Sequence, residues 1–173
     1  VVLRDGRGAE VERFASAALF DKVGLRQESG SHEPFAFLEA KGSQGQGAAP
    51  AEGLFFVGPL ARLNGGEPLA TPLAESERKR LVEALGRFPR FEVVAGYWAL
   101  LIELLSAAEG LVALCEVEKL TGPALRTIPK APGREGHAAI ESPQGLICQH
   151  IRADERGVVE EVRVLDTATA NNA

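Results

Sequence analysis

Methionine is absent from all 173 residues, and only two cysteines, one tryptophan, one tyrosine and three histidines are present. With no initiating methionine, a start at Val1 and an ending "TATANNA", the chain reads as one domain or an excerpt of a longer polypeptide. Cys115 and Cys148 are far apart and each lies in an apolar segment, so both are expected as buried free thiols rather than a disulfide, in a reducing, cytoplasmic compartment. Positive charge is also in short supply. With 24 acidic against 19 basic residues the net charge is -5, and nothing electrostatic draws the chain to nucleic acid or to an anionic membrane surface. No uninterrupted apolar run reaches the roughly 18 residues of a spanning helix, so no transmembrane segment is expected, and "VVLRDGRGAE" carries charge and glycine too early for a secretion signal. Despite 19 glycines, neither a dinucleotide fingerprint nor a phosphate loop occurs. His32, His137 and His150 lie in different segments without the spacing of a zinc motif, so no metal ligand set is expected from this chain alone.

What is present is apolar periodicity, with 45% hydrophobic residues, enough for one moderate core. "AEVERFASAALF" sets Val11, Phe14 and Ala18 on one helical face and predicts a short amphipathic helix. Residues 42–53 have no periodicity and read as a flexible loop. "LFFVGPLARLNGG" begins as an extended apolar segment and breaks at Gly58 and Pro59. Thr71 before Pro72 marks a helix start, with the Thr side chain as the cap, and Gly86 marks its end. Between Phe91 and Val117, Val94, Trp98, Leu101, Leu105, Ala108, Val112 and Cys115 recur every three or four residues. Leu100, Leu104 and Leu111 widen that surface, which predicts a buried helix with Tyr97 and Trp98 packed at a polar edge of the core. The helical region thus spans 72–118. After a proline-rich loop, residues 138–170 predict an antiparallel hairpin: "LICQHIRA", a "DERG" turn and "VVEEVRVLDT". The fold class is α+β, a mostly helical core with a C-terminal antiparallel hairpin.

Candidate chemistry is sparse. Cys148 and His150 are two apart on one strand and share a face, which suits a ligand pair or an imidazole-assisted thiol, or simply a buried thiol beside a satisfied ring. Glu141, ahead of Ser142 and Pro143, is placed to hold a turn, and Arg62 reads as a paired structural guanidinium or a substrate-facing one. The "PFAF" patch at Phe35 and Phe37 leaves a simple ligand-binding module as a further reading.

Four segments in order resemble the large subunit of nickel-iron hydrogenases, in its cofactor-reducing branch: "FFVGPLARLN", "TPLA", "GYWALLIELLSAAEGLVAL" and "REGHAAIESPQGLICQHIRADERGVVEEVRVLDTATANN". The resemblance implies a hydrogenase large-subunit-like fold and, nominally, dihydrogen oxidation or proton reduction, with electrons passed to an iron-sulfur small subunit, then onward to diaphorase-type or other electron-transfer subunits. In that family an E-A-P-R-G turn roofs the binuclear site. The matching residues are Glu141, Ser142, Pro143, Gln144 and Gly145, so Pro143 and Gln144 fall at the roof, with Arg62 bracing from behind. Gln144 stands in place of a permanently charged fork of donors. Gln149 occupies the family's histidine position, and the adjacent His150 matches a second histidine of the cofactor-reducing branch. Of a hydroxyl pair near the metal's diatomic ligands only Thr169 survives, beside Ala168. Glu141, His150 and Thr169 are therefore the implied cofactor-side residues. The two CxxC motifs that supply four thiolates are missing, so this chain alone holds no nickel-iron centre, which is implied only if cysteine-bearing flanks exist. Two readings stay open: the middle of a longer hydrogenase subunit, or a noncatalytic scaffold or electron-transfer-complex subunit that binds no nickel.

Overall fold

The computed structural model describes residues 1–27, 30, 32, 34–39, 53–117, 120, 122, 123 and 133–171. Nearly all of the expected 42–53 loop, and most of the proline-rich loop before residue 133, lie outside them. Along the chain run strands β1 (Val2–Arg4) and β2 (Glu10–Arg13), a 3-10 turn (Ser16–Asp21), β3 (Val23–Arg26), β4 (Phe35–Leu38), helices α1 (Pro59–Asn64), α2 (Pro72–Leu85) and α3 (Val93–Cys115), strands β5 (Glu135–Glu141), β6 (Leu146–Ala153) and β7 (Val159–Leu165), and α4 (Thr167–Asn171).

The described strands form three antiparallel sheets, β1-β2, β3-β4 and β5-β6-β7. The architecture is a mixed α and β one, with more sheet than a helical core carrying a single hairpin. The expected helix over "AEVERFASAALF" is replaced by β2 and the 3-10 turn. Local turn chemistry favours this: Asp5 Oδ1 accepts from the amides of Arg7 and Ala9, each at 2.9 Å, and Gly8 takes a positive φ of 84°, which closes a hairpin between β1 and β2. The predicted hairpin is present as β6 and β7, and β5 joins it as a third strand.

α2 starts after Thr71 with proline in its first turn and stops at Gly86, whose φ of 93° suits glycine. Its expected cap is corrected. The Thr71 hydroxyl donates to Ser106 Oγ at 3.0 Å, and it is Glu109, reaching across from α3, that accepts from the free first-turn amides of Leu73 and Ala74, both at 2.9 Å. Against the desolvation that would raise it, those two amides hold the Glu109 carboxyl below its usual range.

One core lies between α1, α2 and α3: Leu63, Ala74, Leu81, Ala99 and Ile102, with Leu60, Phe88, Trp98 and Leu105 around them. Ala95, Ala99 and Ile102 form the buried face of α3, a narrow seam that lets α1 and α2 approach closely. The opposite face is exposed, including Tyr97 at 68%, Leu101, Leu104, Leu111 and Val112, so the expectation of an enclosed helix with Tyr97 in the core is corrected. Trp98 is half-buried and donates its indole N–H to Glu77 at 3.0 Å. α3 is also long and apolar enough, by length and composition, to cross a membrane. No strict apolar run of that length was visible because Glu103 and Glu109 interrupt it. A second core, Leu19, Ala36, Cys148 and Leu165, joins the 3-10 turn, β4, β6 and β7. Cys148 is buried as expected, and burial pushes its thiol up; Cys115, expected buried, is exposed at the end of α3.

Candidate functional site

The glutamate-to-glycine turn ends β5 and begins β6. Ser142 and Gly145 exchange backbone hydrogen bonds of 2.7 and 3.1 Å, and Ser142 Oγ accepts from the amides of Gln144 at 3.3 Å and Gly145 at 3.1 Å. The turn is thus fixed from inside, and the exposed Pro143 and Gln144 sit at its tip. Gly145 is buried with φ 147°. A Cβ there would come within 2.7 Å of Val57 Cγ2 and 2.8 Å of Thr167 Cγ2, and one on Gly58, φ 114°, would meet the Gln144 carbonyl oxygen at 2.8 Å. Two glycines therefore allow the turn to lie directly on the entry to α1, an approach no side chain would permit.

Arg62 on α1 joins this turn to the helices. Its Nε and Nη2 donate to the two oxygens of Glu103 on α3 at 2.6 and 2.5 Å, and Nη1 donates to Glu141. Relative side-chain exposures of 27% for Arg62, 22% for Glu103 and 53% for Glu141 make the Glu103 fork the drier half. Glu103, more than Glu141, holds the guanidinium still further above its ordinary value, against partial desolvation. Each of the three guanidinium nitrogens donates to a carboxylate, so the arrangement is that of a clamp between α1, α3 and β5. Of the two sequence readings of Arg62, the paired structural one describes these contacts.

A second junction lies close by. Asn171 Oδ1 accepts from the Val57 amide at 2.9 Å and its Nδ2 donates to the Val57 carbonyl at 3.1 Å, so one side chain completes both backbone groups of an extended residue. An open depression of about 470 Å³ is lined by Leu54, Phe55, Phe56 and Asn171. Thr169, the surviving hydroxyl, is turned inward within α4: its amide donates to Asp166 Oδ1 at 2.8 Å, and amide and hydroxyl together hold the Asp166 carboxyl below its usual range.

Of the residues singled out in the sequence, Arg62, Glu141, Pro143 and Gln144 converge on one turn, and Thr169 lies in α4 next to the helix residue, Asn171, that pins Val57. His150 belongs elsewhere. It bonds to Glu135 at 2.9 Å at the far end of β5, and Glu135 is six strand steps from Glu141, roughly 20 Å. Sequence reasoning did not pick out Glu103, although Glu103 and Glu109 are the two charged residues of an otherwise apolar helix and were a usable signal, or Gly58, or Asn171 as a backbone clamp.

The chain is similar, in sequence and in fold, to subunits of hydrogenases. No family model matches the chain. It is 30% identical over 169 residues, 98% of its length, to an F420-non-reducing hydrogenase iron-sulfur subunit from Archaeoglobus profundus, covering 35% of that protein. It is 32% identical to the NAD-reducing hydrogenase HoxS subunit beta of Cupriavidus necator, over 94% of this chain and 32% of that one. A solved structure of an NAD+-reducing NiFe hydrogenase in the H2-reduced state superposes over 95% of this chain and 35% of its own, with a TM-score of 0.76 at 27% identity. The chain spans about a third of the length of the relatives it matches.

These relatives correct the large-subunit expectation. The one that aligns over 98% of the chain is named an iron-sulfur subunit, and the HoxS relative is named subunit beta. The large-subunit identification, the dihydrogen chemistry attached to it, and the external iron-sulfur small-subunit partner are withdrawn; the segment resemblance was to hydrogenase subunits, and short shared segments did not identify which one. The chain's own residues do not fit an iron-sulfur cluster either. Such a cluster takes four thiolates, or two thiolates with two imidazoles, whereas the two cysteines here are one exposed at the end of α3 and one buried in the sheet, and the described histidine pair groups with Glu135 rather than with a thiol.

Proposed function

We propose that this chain is a noncatalytic scaffold segment within one polypeptide of a hydrogenase-type electron-transfer complex. It supplies shape and docking to that complex, and neither nickel nor cluster ligands. The observation that carries the reading is the sequence and fold similarity to hydrogenase subunits over nearly the whole chain, set beside a cysteine count of two. Residues 1–173 act as one unit. The turn at Glu141–Gly145, held from behind by Arg62, presents Pro143 and Gln144 as a rigid tip to neighbouring polypeptide. A committed guanidinium and an uncharged amide give that tip recognition chemistry without charge stabilisation for a reaction. Electrons pass through clusters held by other residues of the complex, and the partners are the remaining hydrogenase-type subunits, diaphorase-type ones among them, in the cytoplasm.

The test is purification of the chain under anaerobic conditions, alone and with the other subunits of such a complex, followed by assay of iron and acid-labile sulfide. The expected result is co-purification with those subunits, and no iron or sulfide in the chain by itself. Stoichiometric iron with sulfide in the isolated chain, or failure to associate with any subunit of the complex, would overturn the reading.

A further inference from the structure

The first half of β5 carries a side-chain cluster that the clamped turn does not use. His137 on β5 and His150 on β6 are direct cross-strand partners. Their rings stack 4.2 Å apart and only 6° from parallel. Glu135, two residues before His137 and therefore on the same face, brings Oε1 to 2.9 Å from His150 Nε2 and 3.4 Å from His137 Nε2. One nitrogen from each ring and one carboxylate oxygen all lie within 4.8 Å of one another.

We propose that Glu135, His137 and His150 form a binding site for a single divalent first-row transition ion of the zinc class. Two imidazole nitrogens and a carboxylate oxygen are the donor set such borderline ions prefer. The size agrees as well. With bonds of about 2.0–2.1 Å in a tetrahedral arrangement, ligand atoms are separated by about 3.3 Å, and the two nitrogen-to-oxygen separations of 2.9 and 3.4 Å bracket that figure. Cross-strand pairing fixes both histidine backbones in advance, so the ordering left to the ion is a turn of the near-parallel rings that brings both nitrogens to face it.

Other charges near the cluster are already engaged. Arg163, opposite His150 on β7, donates to the Phe20 carbonyl at 2.9 Å and lies 4.8 Å from the Phe20 ring centroid. Arg152, opposite Glu135, is paired with Glu160 and Glu161. The exposure of Glu135 and His137 leaves the remaining coordination position to water. A bound ion would fasten β5, which borders the described sheet on one side, to β6. This site goes beyond the scaffold reading and does not depend on it.

Zinc is the probe. The 173-residue chain, stripped with a chelator and exchanged into metal-free buffer, is titrated with Zn2+ by calorimetry, with Co2+ absorption as a second readout of nitrogen-rich tetrahedral coordination. One equivalent of saturable binding is expected, together with a Zn2+-dependent rise in melting temperature. H137N and H150N should each weaken binding by at least about tenfold, the loss that even an outer hydrogen-bonding partner of a metal ligand produces. E135Q should weaken it too, and H32N, at an exposed position outside the cluster, should leave it unchanged. Circular dichroism checks the fold of each variant. H137N changes an exposed strand position and remains informative should H150N fail to fold. Absence of saturable Zn2+ binding, or the same affinity in H137N as in the parent chain, would overturn the proposal. It is separable from the iron and sulfide assay, because a lone zinc ion brings neither.

Discussion

Replacing Arg62 by alanine tests whether the clamp between α1, α3 and β5 holds the molecule together. The substitution removes three donors and leaves Glu103, only 22% exposed, without its bidentate partner. Losing one member of a fully buried pair costs about 3–5 kcal/mol, whereas an exposed pair contributes about 0–1 kcal/mol. The half-buried Glu103 fork falls between, and the largely exposed Glu141 contact adds little, so R62A should cost about 2 kcal/mol. Read as urea unfolding, with a slope near 2 kcal/mol per molar, that is a midpoint lower by about 1 M. Lysine at the same position should recover only part of the loss, because a point charge cannot reproduce a planar fork. R62A/E103A should be less destabilised than the two single changes combined, since no carboxylate is then left orphaned. A loss in R62A below about 0.5 kcal/mol, or strict additivity in the double variant, would refute the view of Arg62 as a structural clamp.

Acid titration offers a second test. Arg78, then the Leu69 amide, hold the Glu75 carboxyl down at about 2 in the folded chain, against 4.5 for the free group. Stability from this residue is therefore fully present above pH 4.5 and lost as the pH falls toward 2, with an upper limit of about 3 kcal/mol. E75Q should be less stable at neutral pH and should flatten the acid limb of the unfolding curve. Ile102→Ala, at a fully buried seam position, should cost about 2–5 kcal/mol in thermal or urea unfolding followed by Trp98 fluorescence. G145A should destabilise by about 1–3 kcal/mol through positive φ and the contacts with Val57 and Thr167, while Q144R at the exposed tip should change stability by less than about 0.5 kcal/mol. A thiol reagent should modify Cys115 promptly and Cys148 only on unfolding, as peptide mapping would reveal.

Parts of this fold written in local signals were legible. Thr71-Pro72 and Gly86 mark the ends of α2, and the alternation in "LICQHIRA" and "VVEEVRVLDT" marks two strands. Where one local signal competed with another, the reading failed: the apolar spacing of Val11 and Phe14 suggested a helix, but the Asp5 turn closes a hairpin there. α3 misled because apolar residues lie on most of its circumference, broken only by Glu103 and Glu109. The stripe through Val94, Leu101 and Val112 was the conspicuous one, while the side that packs is the inconspicuous seam of Ala95 and Ala99. The convergence of Arg62 and Glu141 followed from resemblance, but their third partner, Glu103, did not. Least legible was the His137 and His150 pair. Cross-strand register brings together residues that no sequence spacing marks as neighbours, whereas helical ligand motifs repeat within a few residues.

The Arg62 clamp also makes the molecule responsive to ionic conditions. The helical core and the sheet core are each apolar, whereas the contacts of Arg62 with Glu141 and of Asn171 with Val57 are polar seams near solvent. Added chloride screens exposed charges within about 8 Å at physiological strength, and more tightly above it, while it leaves apolar burial largely intact. Rising salt therefore acts selectively: it slackens the Glu141 side of the clamp, while the uncharged Asn171 bonds to Val57 and both apolar cores stay in place. Amide exchange near Glu141 should accelerate with added salt before any protection is lost at Leu81 or Ile102.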